Sequence, residues 1–65
     1  MAVNRYNLNN KLVRLKMELE EAQLELEHSK DSGRRANAQN RINNIKSEIK
    51  EIEDEIDRIY KELDN

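Results

Sequence analysis

Large apolar residues recur along this chain at alternating spacings of four and three positions, in two separate stretches. The first stretch comprises Leu8, Leu12, Leu15, Leu19, Ala22 and Leu26, and the second comprises Ala38, Ile42, Ile45, Ile49, Ile52, Ile56, Ile59 and Leu63. This is the heptad pattern of helices that pack side by side in a coiled coil. We therefore predict two amphipathic helices, and we call these two sets of residues the inner seam.

The heptad phase slips between the two stretches, so one continuous helix would lose its seam there. The slip falls at residues 29–33, a segment that contains Asp31, Ser32 and the chain's one glycine, Gly33. We expect Gly33 to end the first helix in a left-handed conformation, and Asp31 or Ser32 to cap the second helix. The prediction is a single domain over residues 1–65, with a helix over about 4–30, a turn at about 31–33 and a helix over about 34–63.

The two halves of the inner seam are mirror-related about residue 32. Ala38 follows residue 32 at the same separation at which Leu26 precedes it, and the relation holds for each successive pair out to Leu8 and Ile56. Facing residues of two helices joined by a short turn have this relation, because one helix ascends as the other descends. The predicted fold class is all-α, a two-helix antiparallel coiled-coil hairpin.

Charge alternates in blocks along the chain. Residues 1–16 carry a net charge of +4, residues 17–29 carry −5, residues 30–50 carry +4 and residues 51–65 carry −5. Folding about residue 32 sets opposite blocks side by side, and Lys11 can then meet Glu55 while Glu25 can meet Arg41. Exposed pairs contribute only about 0.2–1 kcal/mol each, so their main effect is to favour the antiparallel arrangement over parallel ones.

A second apolar line runs along the first helix, roughly 150° around the helix from the inner seam. Its members are Val3, Tyr6, Val13, Met17 and Leu24, and the polar residues Asn10 and Glu20 interrupt it. The equivalent line on the second helix is polar. Contiguous exposed apolar strips usually mark interaction surfaces, so we expect these five apolar residues to form a protein interface.

The spacing of this second line is self-complementary. Val13 and Met17 lie at equal distances from residue 15, and so do Tyr6 and Leu24. Two copies of the first helix related by a two-fold axis could therefore pair along this line. That is the geometry of a C2 homodimer, and it predicts a four-helix assembly with the two first helices in the middle.

Composition narrows the class of protein further. The 65 residues include no Cys and no Pro, 40% of them are charged, and the net charge is −2. Disulfides and thiolate metal sites are therefore excluded, and no general attraction to nucleic acid or to an anionic membrane is expected. Because mean hydropathy is −1.13 and the N-terminus lacks the apolar core of a secretory signal, we expect a cytoplasmic protein with no membrane association. Met1 and a seam that begins by Leu8 predict a complete chain.

Candidate chemistry is sparse. Glu25 and His28 have the spacing of ligands in di-iron helical bundles, but such sites use that motif twice and add further inward carboxylates. This chain has one histidine, and both residues are predicted beside the inner seam. We also find no nucleophile with a base and no phosphate-binding loop. The prediction is a protein that is not an enzyme and that uses no cofactor and no metal.

The expected function is protein binding by a small adaptor, inhibitor or regulator. It would act as a homodimer through the first helix and present charged helix faces to a larger protein partner. One alternative is a monomeric hairpin whose second apolar line docks a foreign helix. The other is an RNA- or DNA-binding regulator that uses Arg34, Arg35 and Arg41 near the turn, among amide side chains that can contact phosphates and base edges.

A resemblance bears on the nucleic-acid alternative. In size and predicted architecture the chain resembles the Rop proteins, small dimeric helical hairpins that modulate RNA I and bind RNA on their helix faces. The resemblance is one of topology, and no motif of this sequence carries a functional residue over from that family. The basic residues near the turn are expected instead to neutralise the acidic residues of the first helix across the hairpin.

Overall fold

The protein folds as two long α-helices that pack against each other. The structure is a computed structural model that describes residues 5–64, with the side chains of residues 6–63. Helix α1 spans Arg5–His28 and helix α2 spans Ser32–Asp64. The molecule measures 51 × 15 × 15 Å, and a helix of 33 residues is about 50 Å long. The long dimension is therefore that of α2 alone, because α1 folds back along it.

The inner seam forms the core between the two helices, as the apolar spacing predicts. Six of its residues are buried: Leu15, Ala22, Ala38, Ile42, Ile45 and Ile52. Leu8, Leu12, Leu19, Ile49 and Ile56 are partly buried and pack against the cluster of Leu15, Ile45 and Ile52. Among these six buried residues, the small Ala22 and Ala38 lie nearest the turn. The all-α class and the two-helix hairpin are confirmed.

The last residue of the inner seam departs from this pattern. Leu63 is 61% exposed. Its mirror position across the hairpin is residue 1, which lies outside the described residues, and α1 begins at Arg5. Leu63 therefore lies past the last pair of facing positions that both fall within the described residues.

The connection between the helices differs from the sequence-based expectation for Gly33. That prediction was wrong: Gly33 does not have a positive φ, and it lies inside α2, one residue after the helix begins at Ser32. The connection consists of residues 29–31. Helix α1 ends without glycine because Ser29 and Asp31 supply local hydrogen bonds, which are the alternative to a left-handed stop. The Ser29 amide still donates to the Glu25 carbonyl at 2.9 Å, and the Asp31 amide donates to Ser29 Oγ at 3.3 Å.

Asp31 caps α2, which was one of the two caps predicted from the sequence. Its Oδ2 accepts a hydrogen bond of 3.0 Å from the amide of Arg34, three residues later. This is the bond that an N-cap carboxylate makes to an otherwise unpaired amide of the first turn. The side chain therefore fixes where α2 begins, and its negative charge also favours the positive end of the helix dipole.

Arg35 closes the other side of the connection. Its Nη1 donates to the main-chain oxygen of Leu26 at 2.7 Å and to that of Ser29 at 3.3 Å. The last carbonyls of a helix have no partner within the helix. A side chain from the first turn of α2 thus satisfies a carbonyl at the end of α1, and we call this contact the Arg35 clasp.

Charged side chains cover the rest of the hairpin with little pairing. Among the side chains of residues 6–63, the structure records one ion pair, Lys61 Nζ to Asp57 Oδ2 at 3.4 Å, within α2. The predicted contacts of Lys11 with Glu55 and of Glu25 with Arg41 do not form ion pairs. Long exposed side chains lose more conformational freedom in such a contact than the attraction in water returns. The oppositely charged blocks of the two helices still lie side by side, but their side chains, where the structure describes them, do not form ion pairs across the hairpin.

Candidate protein-binding surface

Helix α1 carries an exposed apolar line along the side away from α2. Of the five predicted interface residues, Tyr6 is 77% exposed, Met17 63%, Val13 57% and Leu24 47%. Val3 lies outside the described residues. We call Tyr6, Val13, Met17 and Leu24 the outer stripe. These side chains lie outside the buried core. Large apolar residues therefore occupy a surface that the fold of the hairpin leaves largely in water.

The two polar positions that interrupt the outer stripe are also exposed. Asn10 lies between Tyr6 and Val13, and Glu20 lies between Met17 and Leu24. The line therefore offers, in order along α1, an aromatic ring, an amide, two apolar side chains, a carboxylate and a leucine. Because each lies three or four residues from the next, all six positions share one helix face.

A shallow depression marks the C-terminal half of the outer stripe. Its lining residues are Met17, Glu20, Glu21 and Leu24. These residues stand at the first, fourth, fifth and eighth positions of a helical segment, which is the set of four that forms one hole for a side chain of a facing helix in coiled coils. The depression combines two apolar side chains with two carboxylates. We call it the stripe hole.

Helix α2 offers no such line on its outer face. The equivalent positions are polar and exposed: Asn43, Ser47, Lys50, Asp54, Asp57 and Lys61. Tyr60, half exposed, and Leu63 lie near the C-terminal end of α2, apart from this line. The two helices therefore differ in kind, since one has two apolar faces and the other has a single one.

The basic residues near the turn have different surroundings. Arg34, Arg35 and Arg41 are all exposed, but the guanidinium of Arg35 is held against the end of α1 by the clasp. Arg34 lines a depression at the turn together with residues of both charges: Glu25, His28, Ser29, Lys30 and Asp31. The cationic surface at this end is thus interleaved with acidic groups, and one of its three arginines already has partners in the protein.

Side chains able to hold a metal ion are not gathered in the described part of the chain. No set of three or more His, Asp or Glu side chains there lies close enough to hold a metal ion. Glu25 and His28 are both exposed at the end of α1, and the histidine lies beside the turn. Along residues 5–64, neither helix has an apolar stretch able to cross a membrane.

No protein-family model, no curated protein and no solved structure matches this chain.

Proposed function

We propose that this hairpin is a protein–protein interaction module that works by helix-to-helix association, as a C2 homodimer through the outer stripe. The observation that carries the proposal is the exposure of Tyr6, Val13, Met17 and Leu24 on one face of α1. Apolar side chains that the fold leaves in water gain about 25 cal/mol for each Å² that an association covers. A non-enzymatic adaptor, inhibitor or regulator with charged outer faces is the class of protein that this arrangement fits.

The spacing of the outer stripe supports a second copy of the chain as the occupant. With a two-fold axis that crosses the outer face of α1 midway between Val13 and Met17, Val13 of one copy faces Met17 of the other, and Tyr6 faces Leu24. An isologous contact needs a patch that is complementary to itself in this way. The assembly then has four helices, with two copies of α1 at the centre and α2 outside.

Charge supports the same orientation. An antiparallel contact between two copies of α1 sets most of the +4 block of residues 1–16 against the −5 block of residues 17–29. In a parallel contact each block would meet its own copy. Complementary charge improves orientation and the rate of association more than it improves affinity, so it selects the arrangement while the apolar side chains stabilise it.

The test compares aspartate substitutions on the two exposed helix faces by sedimentation velocity. Met17→Asp and Val13→Asp place a charge in the proposed interface and should shift the protein towards the monomer while helical circular dichroism is retained. Ser47→Asp, on the outer face of α2, is the matched control and should leave the mass unchanged. Ile45→Asp, in the core, should instead abolish the helical signal, because it buries an unpaired charge.

Two results would contradict the proposal. One is a wild-type chain that remains monomeric at every concentration, which would leave the docking of a foreign helix as the role of the outer stripe. The other is a dimer whose stability is the same in Met17→Asp as in Ser47→Asp.

A further inference from the structure

The stripe hole on α1 is lined by two glutamates as well as by two apolar residues. Met17 and Leu24 form its two ends, and the carboxylates of Glu20 and Glu21 form its sides. A hole in a wholly apolar interface takes an aliphatic knob. The composition of this hole instead suits a side chain that is short enough to enter between two apolar groups and that carries a hydrogen-bond donor for a carboxylate.

Asn10 meets that description and lies on the same face of the same helix. It interrupts the outer stripe in the N-terminal half of α1, as Glu20 interrupts it in the C-terminal half, and both are exposed. Asn10 and Glu20 lie at equal distances from residue 15, so the two-fold arrangement sets Asn10 of one copy opposite Glu20 of the other. The side-chain amide of asparagine has two N–H donors, and an ionised carboxylate is an acceptor only.

We propose that Asn10 of a second copy enters the stripe hole and donates its side-chain amide N–H to the Glu20 carboxylate. The inference rests on the proposed homodimer and adds the pair of residues that determines its orientation. The two-fold axis produces the pair twice, once on each side of residue 15. The two polar interruptions of the outer stripe thus become its recognition elements.

The pair of Asn10 and Glu20 disfavours other alignments of the two helices. In a parallel dimer Glu20 would face Glu20 of the partner and Asn10 would face Asn10, which sets two carboxylates together without a donor. In an antiparallel dimer whose two α1 helices are displaced by one heptad from this alignment, Glu20 would face an apolar side chain of the partner instead of Asn10. A single polar residue at a packing position fixes alignment in coiled coils at some expense of affinity.

Orientation is tested by cross-linking, which the chain permits because it has no cysteine of its own. Tyr6→Cys and Leu24→Cys are prepared separately and mixed, and a short bifunctional thiol reagent is added. The inference predicts that the cross-linked product is mainly the mixed 6-to-24 species, with little product from either variant alone, because residues 6 of the two copies are about 27 Å apart along the axis of an antiparallel dimer. Products that join 6 to 6 and 24 to 24 would overturn the antiparallel alignment while leaving a homodimer in place.

The pair itself is tested by exchanging its two chemistries. Asn10→Glu sets a carboxylate against Glu20 of the partner and should raise the dimer Kd by at least about tenfold, since like charges at an interface are strongly unfavourable. The double variant Asn10→Glu/Glu20→Asn restores one donor and one acceptor and should recover most of the affinity. Asn40→Glu, an exposed asparagine on α2, is the control and should leave the Kd unchanged.

A loss of helix stability cannot account for a higher dimer Kd of Asn10→Glu, because glutamate has a higher helix propensity than asparagine. A weaker Asn10→Glu dimer is therefore an interface effect. A dimer that tolerates Asn10→Glu as well as Asn40→Glu would overturn the pairing and leave the proposed homodimer intact. A wild-type chain that shows no dimer at all would overturn both.

Discussion

Arg35 on α2 donates a hydrogen bond of 2.7 Å from Nη1 to the main-chain oxygen of Leu26 on α1. The same atom also reaches the carbonyl of Ser29 at 3.3 Å. The end of one helix is thereby satisfied by the beginning of the next. This contact lies between the turn and the first buried residue of α2, Ala38, so it joins the two helices at the point where they connect.

Loss of the clasp should destabilise the hairpin. We expect Arg35→Ala to lower the free energy of unfolding by about 1 kcal/mol, since a solvent-exposed charge-assisted hydrogen bond is lost and the Leu26 carbonyl loses its partner. Urea unfolding followed by circular dichroism, at one fixed protein concentration, measures the change. Arg34→Ala is the matched control, because Arg34 experiences the same helix dipole and should change stability by less than about 0.5 kcal/mol. Equal losses in both variants would show that the clasp contributes nothing.

The cap at Asp31 makes a second, independent contribution. Asp31→Ala removes the 3.0 Å hydrogen bond from the Arg34 amide and should lower the free energy of unfolding by about 1 kcal/mol. Asp31→Asn keeps an acceptor oxygen at the same place and should lose much less. Amide exchange at Arg34 should become faster in the alanine variant and stay near the wild-type rate in the asparagine variant. A destabilisation as large in Asp31→Asn as in Asp31→Ala would contradict the capping role.

Replacement of Gly33 by alanine should stabilise the protein, whereas the sequence-based interpretation of Gly33 as a left-handed helix stop would predict a loss of stability. Because Gly33 is helical and lacks a positive φ, Gly33→Ala should raise the free energy of unfolding by about 0.5–1 kcal/mol. An added Cβ would lie 3.4 Å from Asp31 Oδ2, which is an ordinary van der Waals contact and leaves the capping hydrogen bond in place. The thermal midpoint should rise accordingly. A fall in the midpoint would indicate that Gly33 is needed for a conformation that alanine does not adopt.

The inner seam was predictable from the sequence, and the end of α1 was not. Seam residues such as Leu15 and Ile45 belong to a heptad repeat that is typical of packed helices. Because many residues share this spacing, the prediction does not depend on any one of them. The end of α1 depends instead on a few local hydrogen bonds. Glycine is a common residue at the end of a helix. Here, however, the side chains of Ser29, Asp31 and Arg35 make the hydrogen bonds at the connection, and Gly33 lies within α2.

The candidate surface follows the same division. The positions of Tyr6, Val13, Met17 and Leu24 could be predicted, because a second apolar line at helical spacing has no use inside a two-helix hairpin. The role of Arg35 was missed, although a signal existed: arginine side chains near a helix end often bond its last carbonyls. The stripe hole was missed as well, although its four lining residues have in the sequence the spacing of a hole in a coiled coil.

The mass of the wild-type chain in solution, measured by sedimentation equilibrium over a range of concentrations, tests the central claim most directly. The proposed homodimer predicts a mass that rises with concentration from the 7.8 kDa of one chain to a limit of twice that value, without larger species. A mass that stays at that of one chain throughout the concentration range would contradict it.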